Sequence, residues 1–119
     1  MARDAPQIET YGDGGFRLST GRHEGSLLIV RDRPHPWPVR SMAELAPEHF
    51  APVIEAGREE VEFVLLGAGK ANALPPRAVR DALQKAGIGL EFMDTGAACQ
   101  FYNILTADGR KVAAALIAV

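Results

Sequence analysis

The stretch VEFVLLGAGK, residues 61–70, decides the fold. An apolar run of this length is typical of a strand that is buried on both faces of a parallel sheet. The glycine-rich turn at 67–69 ends the strand, and a helical pattern begins after Pro75-Pro76. The stretch therefore predicts the first strand and crossover of a parallel α/β unit.

The sequence that follows repeats this alternation. Apolar residues recur on one face over residues 76–86, which predicts an amphipathic helix ending before Gly87. Residues 89–93 predict a second strand. Asp94 or Thr95 can then cap a helix that extends to about residue 107, and residues 112–119 predict a last strand. The C-terminal half is therefore predicted to be β-α-β-α-β, with right-handed parallel crossovers.

The N-terminal half predicts mainly strands. Residues 8–11 and 15–18 flank a glycine turn, and residues 26–30 form another buried run. Three prolines in residues 33–38 predict a loop, anchored against the core by Trp37. An apolar stripe predicts one helix over residues 47–57. Together these patterns predict one α/β domain over residues 1–119, with a mixed sheet, an additional N-terminal β layer and a flexible tail at residues 1–7.

Composition excludes several classes of protein. The chain has 119 residues, a net charge of −2, 47% hydrophobic residues and one cysteine. A lone cysteine cannot support a disulfide framework, so a reducing, cytoplasmic location is expected. Mild acidity without a basic stripe argues against nucleic-acid binding. The apolar runs are of strand length, so no direct membrane insertion is expected. The oligomeric state stays open.

The possible motifs for chemistry are incomplete. Lys70 is followed by Ala71 rather than Ser or Thr, and Asn72 stands where a dinucleotide loop needs glycine. The glycine turn is therefore predicted to be structural, with weak anion binding by its amides left open. His23, His35 and His49 lack metal-ligand spacing, so no metal and no cofactor is predicted.

Residues 94–103 carry the most distinctive pattern. Thr95, Cys99 and Asn103 recur every four positions and share one helix face. A helix N-terminus favours a thiolate, whereas Asp94 opposes it, and free cysteine is usually buried. A packing role for Cys99 is favoured, and a reactive role stays open.

Two functions are consistent with these residues. The leading hypothesis is a non-enzymatic binding or assembly factor that presents a partner surface around Trp37 and His35. The alternative is an enzyme or small-ligand-binding protein with a pocket where parallel strands end. Its candidate pocket residues follow two predicted strands: Gly67, Gly69, Lys70, Asp94, Thr95, Cys99 and Asn103.

The stretch FMDTGAACQFYN, residues 92–103, resembles the Met-Asp-Thr…Ala-Cys…Tyr-Asn segment of a small α/β family labelled a domain of unknown function. Residues 11–17, 66–69 and 109–113 resemble the glycine turn, the strand-end glycines and the closing strand of the same family. Its eukaryotic relatives include an assembly factor of mitochondrial complex I (NADH dehydrogenase) and an adipogenesis-associated protein. The chain departs from the usual pattern in two places, at Ala68 and at the pair Gln100-Phe101.

The resemblance implies a three-layer fold around a mixed central sheet, with no established catalytic residues. It also implies an accessory protein that helps assemble a respiratory membrane complex. Such a protein would be held at the inner membrane peripherally, through protein partners such as complex subunits or other assembly factors.

Overall fold

The computed structural model describes residues 5–119. Its strands are β1 (Ile8–Gly12), β2 (Gly15–Leu18), β3 (Gly21–Glu24), β4 (Leu27–Val30), β5 (Arg33–Pro36), β6 (Phe63–Gly67), β7 (Gly89–Met93) and β8 (Val112–Leu116). Its α-helices are α1 (Ala51–Ala56), α2 (Arg77–Lys85) and α3 (Thr95–Ala107). Two 3-10 turns, Met42–Glu44 and Pro47–Phe50, precede α1.

The central sheet has five strands in the order β5-β4-β8-β6-β7. Strand β6 pairs in parallel with both β7 and β8, and β4 is antiparallel to β8 and β5. The helices α2 and α3 connect the three parallel strands. The predicted mixed sheet and β-α-β-α-β half are therefore confirmed.

Two apolar cores lie on opposite faces of this sheet. Alternate side chains of β4 point to different cores: Leu28 and Val30 pack with α2, whereas Leu27 and Ile29 pack with α3. Strands β1 to β3 form a second sheet that covers the α3 side and buries Phe16 completely. The result is the predicted three-layer α/β domain with an additional N-terminal β layer.

The side chain of Asn103 attaches the N-terminal sheet to α3. Its Oδ1 accepts a hydrogen bond from the Ile8 N–H, and its Nδ2 donates one to the Ile8 C=O, both at 2.8 Å. The carboxamide thus occupies the place that a neighbouring strand would take at the edge of β1. The Gly14 N–H adds a bond of 2.9 Å to the Val119 C=O.

The prediction of a proline loop over residues 33–38 is wrong for its first half, because Arg33–Pro36 forms β5. The Trp37 N–H donates to the Ser26 C=O, so the backbone of Trp37 faces β4. Because backbone groups alternate in direction along a strand, the nitrogens of Pro34 and Pro36 face away from β4. The prolines therefore remove no bond from the β4–β5 ladder. The predicted anchoring of Trp37 in the core is confirmed, since its side chain is buried.

Two further expectations differ in detail. The helix predicted over residues 47–57 starts as a 3-10 turn and becomes α-helical only at Ala51. Residues 1–4 of the predicted tail lie outside the described residues. The rest of that tail lies against the domain, because Pro6 is buried and the Gln7 N–H donates to Ser19 Oγ at 3.0 Å.

Replacing Asn103 by Ala should weaken the attachment of the N-terminal sheet. The substitution leaves the buried Ile8 N–H and C=O without their partner, which should lower the free energy of unfolding by about 1–3 kcal/mol. Urea denaturation followed by circular dichroism measures this loss. Gln100→Ala, at an exposed position of the same helix, is the control and should change stability little. Equal stability of the two variants would contradict this role of Asn103.

Candidate functional site

Thr95 joins three chain segments at the ends of the parallel strands. Its N–H donates to the Gly69 C=O at 2.9 Å, and its Oγ1 accepts from the Gly69 N–H at 3.0 Å. The same hydroxyl donates to the Ile117 C=O at 2.7 Å, just beyond β8. Thr95 is fully buried, so these bonds replace water completely. We refer to Gly67, Gly69, Thr95 and Ile117 as the Thr95 junction.

Gly67 belongs to this junction for steric reasons. A Cβ at this position would lie 2.9 Å from Thr95 Oγ1 and 3.0 Å from Leu116 Cδ2, closer than packed atoms tolerate. The Gly67 C=O also accepts from the Ile117 N–H at 3.0 Å. Gly69 adopts φ +110°, a conformation that favours glycine. The glycine turn therefore permits close packing between β6, β8 and α3.

A cleft of about 280 Å³ opens above the junction. Its lining comes from the N-terminal sheet, the glycine turn, the start of α3 and the last residue: Tyr11, Gly12, Gly69, Lys70, Asp94, Gly96 and Val119. The Tyr11 hydroxyl lies so close to α3 that a Cβ at Gly96 would collide with it. Tyr11 was not predicted as a site residue, because no local pattern indicates that a strand of the other sheet reaches this helix.

The structure brings Gly69, Lys70 and Asp94 of the predicted pocket into this cleft. Lys70 is exposed, so its ammonium group is available at the rim. The Asp94 carboxylate has a structural task, since its Oδ1 accepts from the Ala97 N–H at 2.9 Å and caps α3. The cleft is thus lined by the exposed Lys70 side chain and by a carboxylate that is already hydrogen-bonded.

The other predicted pocket residues do not line the cleft. Gly67 and Thr95 lie beneath it in the junction, and Asn103 points toward Ile8. Cys99 is buried in the core on the inner face of α3. Burial, followed by the nearby Asp94 charge, raises the pKa of the Cys99 thiol to about 12. A thiol with this pKa stays protonated at neutral pH and is a poor nucleophile.

The two residues of the predicted partner surface lie in different environments. Trp37 is turned into the core, where its Nε1–H donates to the His49 C=O at 2.9 Å. His35 is exposed on β5 and lines a cleft of about 550 Å³ together with Arg31, Arg33 and Glu55. A second cleft, of about 280 Å³, is lined by both His35 and Trp37, so the two residues of the predicted surface meet at one concave patch although they differ in burial.

The part of the chain that the structure describes contains neither a metal-binding cluster nor a membrane-spanning helix. Residues 5–119 contain no group of three or more His, Cys, Asp or Glu side chains placed to hold a metal ion. Among the same residues, no helix has the length and apolar character needed to cross a membrane.

The fold defines a class of small two-sheet α/β domains. It matches the crystal structure described as an outer membrane protein from Bartonella henselae with a TM-score of 0.89 and 32% identity, covering 100% of this chain and 99% of that chain. It also matches the solution structure of a Bordetella pertussis protein described as a Mth938-like domain, with a TM-score of 0.77, 27% identity and coverage of 94% and 85%. The chain belongs to the family described as "Protein of unknown function (DUF498/DUF598)", whose model matches residues 8–117.

Relatives in the family include proteins with and without an assigned role. An uncharacterized protein of Rhodobacter capsulatus is 34% identical over 110 residues, covering 92% of this chain and 82% of that protein. The NADH dehydrogenase [ubiquinone] 1 alpha subcomplex assembly factor 3 of Mus musculus is 31% identical over 114 residues and 95% of this chain. The chain spans 60–65% of the length of the mammalian assembly factors it matches. The family resemblance inferred from residues 92–103 is confirmed.

Replacing Thr95 by Val should destabilise the protein much more than replacing it by Ser. Valine has the same shape but leaves the Gly69 N–H and Ile117 C=O without a buried partner, a loss of about 1–3 kcal/mol for each group. Serine keeps the hydroxyl and should retain most of the stability. Urea denaturation of both variants measures the difference. If Thr95→Val were as stable as Thr95→Ser, the junction would not depend on the hydroxyl.

The Cys99 thiol should make stability fall at high pH. Its pKa rises from 9.0 to about 12 on folding, so between these values the unfolded chain loses a proton that the folded chain keeps. The Cys99 contribution is therefore intact below pH 9 and decreases by about 1.4 kcal/mol per pH unit above it. Unfolding free energies at several pH values from 8 to 11 measure the slope. Cys99→Ala removes this contribution, so identical slopes in the two proteins would contradict a buried, protonated thiol.

Proposed function

We propose that this chain is a non-enzymatic accessory protein that assists the assembly of a respiratory membrane complex by binding protein partners. The observation that carries this proposal is its relationship, over nearly its whole length, to proteins named as NADH dehydrogenase assembly factors. Partners of this kind would be subunits or other assembly factors. The protein would act in the cytoplasm and reach the inner membrane peripherally, through them.

The use of the polar family residues supports a binding role. Asp94 caps α3, Thr95 forms the junction, and Asn103 attaches the N-terminal sheet. Cys99 is held protonated inside the core. These side chains are committed to the architecture, so they support a rigid scaffold better than a set of groups poised for reaction.

The cleft beside β5 is the partner surface in this proposal. Its wall combines exposed Arg31, Arg33 and His35 from the β4–β5 hairpin with Pro52 and Glu55 from α1. Exposed charges of both signs around a concave surface are suited to orienting a protein partner. Pairing of β5 with β4 holds Arg33 and His35 in place.

A small-ligand-binding function is the second candidate. The observation that favours it is the approach of Lys70 and Asp94 to one cleft at the strand ends, where open α/β sheets bind ligands. The cleft volume limits such a ligand to a small molecule. In this alternative, Lys70 would bind an anionic group of the ligand, or take part in catalysis if the protein is an enzyme.

Affinity purification of the tagged chain from detergent-solubilised membranes should recover subunits or assembly intermediates of a respiratory complex. Arg33→Glu reverses a charge on the proposed surface and should lower this recovery several-fold, because complementary charges orient the partner. Arg77→Glu is the matched control, since Arg77 is exposed on α2 and pairs only loosely with Asp81 at 3.9 Å. Quantitative mass spectrometry compares the three preparations.

The proposal fails if recovery of respiratory subunits equals that of a mock-tagged strain. Turnover or tight binding of a metabolite that is lost in Lys70→Ala would instead favour the second candidate.

A further inference from the structure

Among residues 5–119, three of the four sheet edges carry features that disfavour an additional strand. On β5, the nitrogens of Pro34 and Pro36 face outward and offer no N–H donor. On β1, both polar groups of Ile8 are already bonded to Asn103. On β3, Arg22 and Glu24 already form an ion pair of 2.8 Å, so a charged residue of an added strand would have to compete with it.

The fourth edge, β7, remains open. Within residues 5–119 it pairs only with β6. The Gly89 N–H donates to the Glu62 C=O, and the Met93 C=O accepts from the Ala68 N–H, so these two residues turn toward β6. Backbone groups alternate in direction along a strand, which leaves the N–H and C=O of Leu90 and Phe92 facing the open edge. No proline interrupts this strand.

A shallow apolar groove runs along the same edge. Leu90 and Phe92 are half-buried against the α2 core, and together with Arg80, Gln84 and Ile88 they line a cleft of about 280 Å³. A strand added to β7 would direct alternate side chains into this cleft. Hydrogen-bonding groups and a site for side chains therefore occur together at one edge.

The carboxylate of Glu91 indicates the charge of the added strand. Glu91 is exposed and, among the described residues, forms no ion pair. It alternates with Leu90 and Phe92, so it lies on the face of β7 opposite the groove. A Lys or Arg placed across from it would complete a favourable cross-strand pair.

We propose that β7 binds an extended segment of another protein by strand addition, with a basic residue opposite Glu91 and small apolar residues beside it. This inference rests on the proposed function, because it specifies how a protein partner is held. A second copy of the chain fits less well. The symmetric antiparallel register that pairs all five residues of β7 places Glu91 directly opposite its own copy, and like charges there are destabilising.

The test uses a soluble peptide, acetyl-Ser-Thr-Val-Lys-Val-Thr-Ser-amide, and its counterpart with Glu at the centre. Titration of each into isotopically labelled protein is followed by amide chemical shifts and hydrogen exchange. The lysine peptide should shift the amide resonances of Leu90 and Phe92 and slow their exchange. The glutamate peptide should bind about threefold to tenfold more weakly. The amides of Arg33 and His35 on the blocked edge should not respond.

Glu91→Lys is the matched variant, because an exposed substitution preserves the fold while reversing the charge. It should reverse the preference, binding the glutamate peptide more tightly than the lysine peptide. The proposal is overturned if neither peptide perturbs Leu90 and Phe92, if the two peptides bind equally, or if β5 responds instead. If the amide shifts of Leu90 and Phe92 instead change with protein concentration in the absence of peptide, the edge binds a second copy of the chain and the proposed partner segment is rejected.

This result is independent of the affinity purification. Recovery of respiratory subunits together with failure of the peptides would reject strand addition at β7 and keep the assembly role. Strand addition without such recovery would keep the edge site and reject the assembly role.

Discussion

The hydroxyl of Thr95 is the constraint on which the central sheet depends. It accepts from the turn that follows β6 and donates to the chain that follows β8, while its own backbone starts the helix that follows β7. Three parallel strands therefore end at one buried atom. Because water cannot reach this buried hydroxyl to replace a lost hydrogen bond, each bonding partner must keep its position. Gly67 must also lack a side chain, since a Cβ there would collide with Thr95.

The same constraint gives structural tasks to the polar residues at the start of α3. Asp94, Thr95, Cys99 and Asn103 are residue types that often occur in active sites, and they share one helix. Here each side chain has a structural task. Asp94 caps α3, and Thr95 bridges the ends of the strands. Cys99 fills space in the core, and Asn103 bonds to Ile8 of β1. The motif that identifies the family thus contributes four side chains to its architecture.

The elements of the C-terminal half can be predicted from the sequence, because local periodicity determines them. The amphipathic face around Val79 and the boundaries at Gly87 and Asp94 are properties of neighbouring residues. The site was harder to predict because it depends on distant ones. The partner of Thr95 at Ile117 and the position of Tyr11 over Gly96 follow only from tertiary packing. Strand β5 was not predicted because its prolines indicate a loop. Proline is nevertheless tolerated in an edge strand where its nitrogen faces away from the neighbouring strand, since no hydrogen bond is lost.

The bond between Asn103 and Ile8 spans 95 positions of the chain. Strand β4 likewise pairs with β8, which is synthesised much later. During synthesis, the N-terminal strands leave the ribosome long before the helix and strand that cover them. Contacts this distant slow folding, and unpaired strands are prone to aggregation until they are covered. The features that disfavour pairing at β3 and β5 lie within those strands, so they have a second benefit: they are present in the nascent chain before the later partners exist. The β1 edge is covered only once Asn103 has been synthesised.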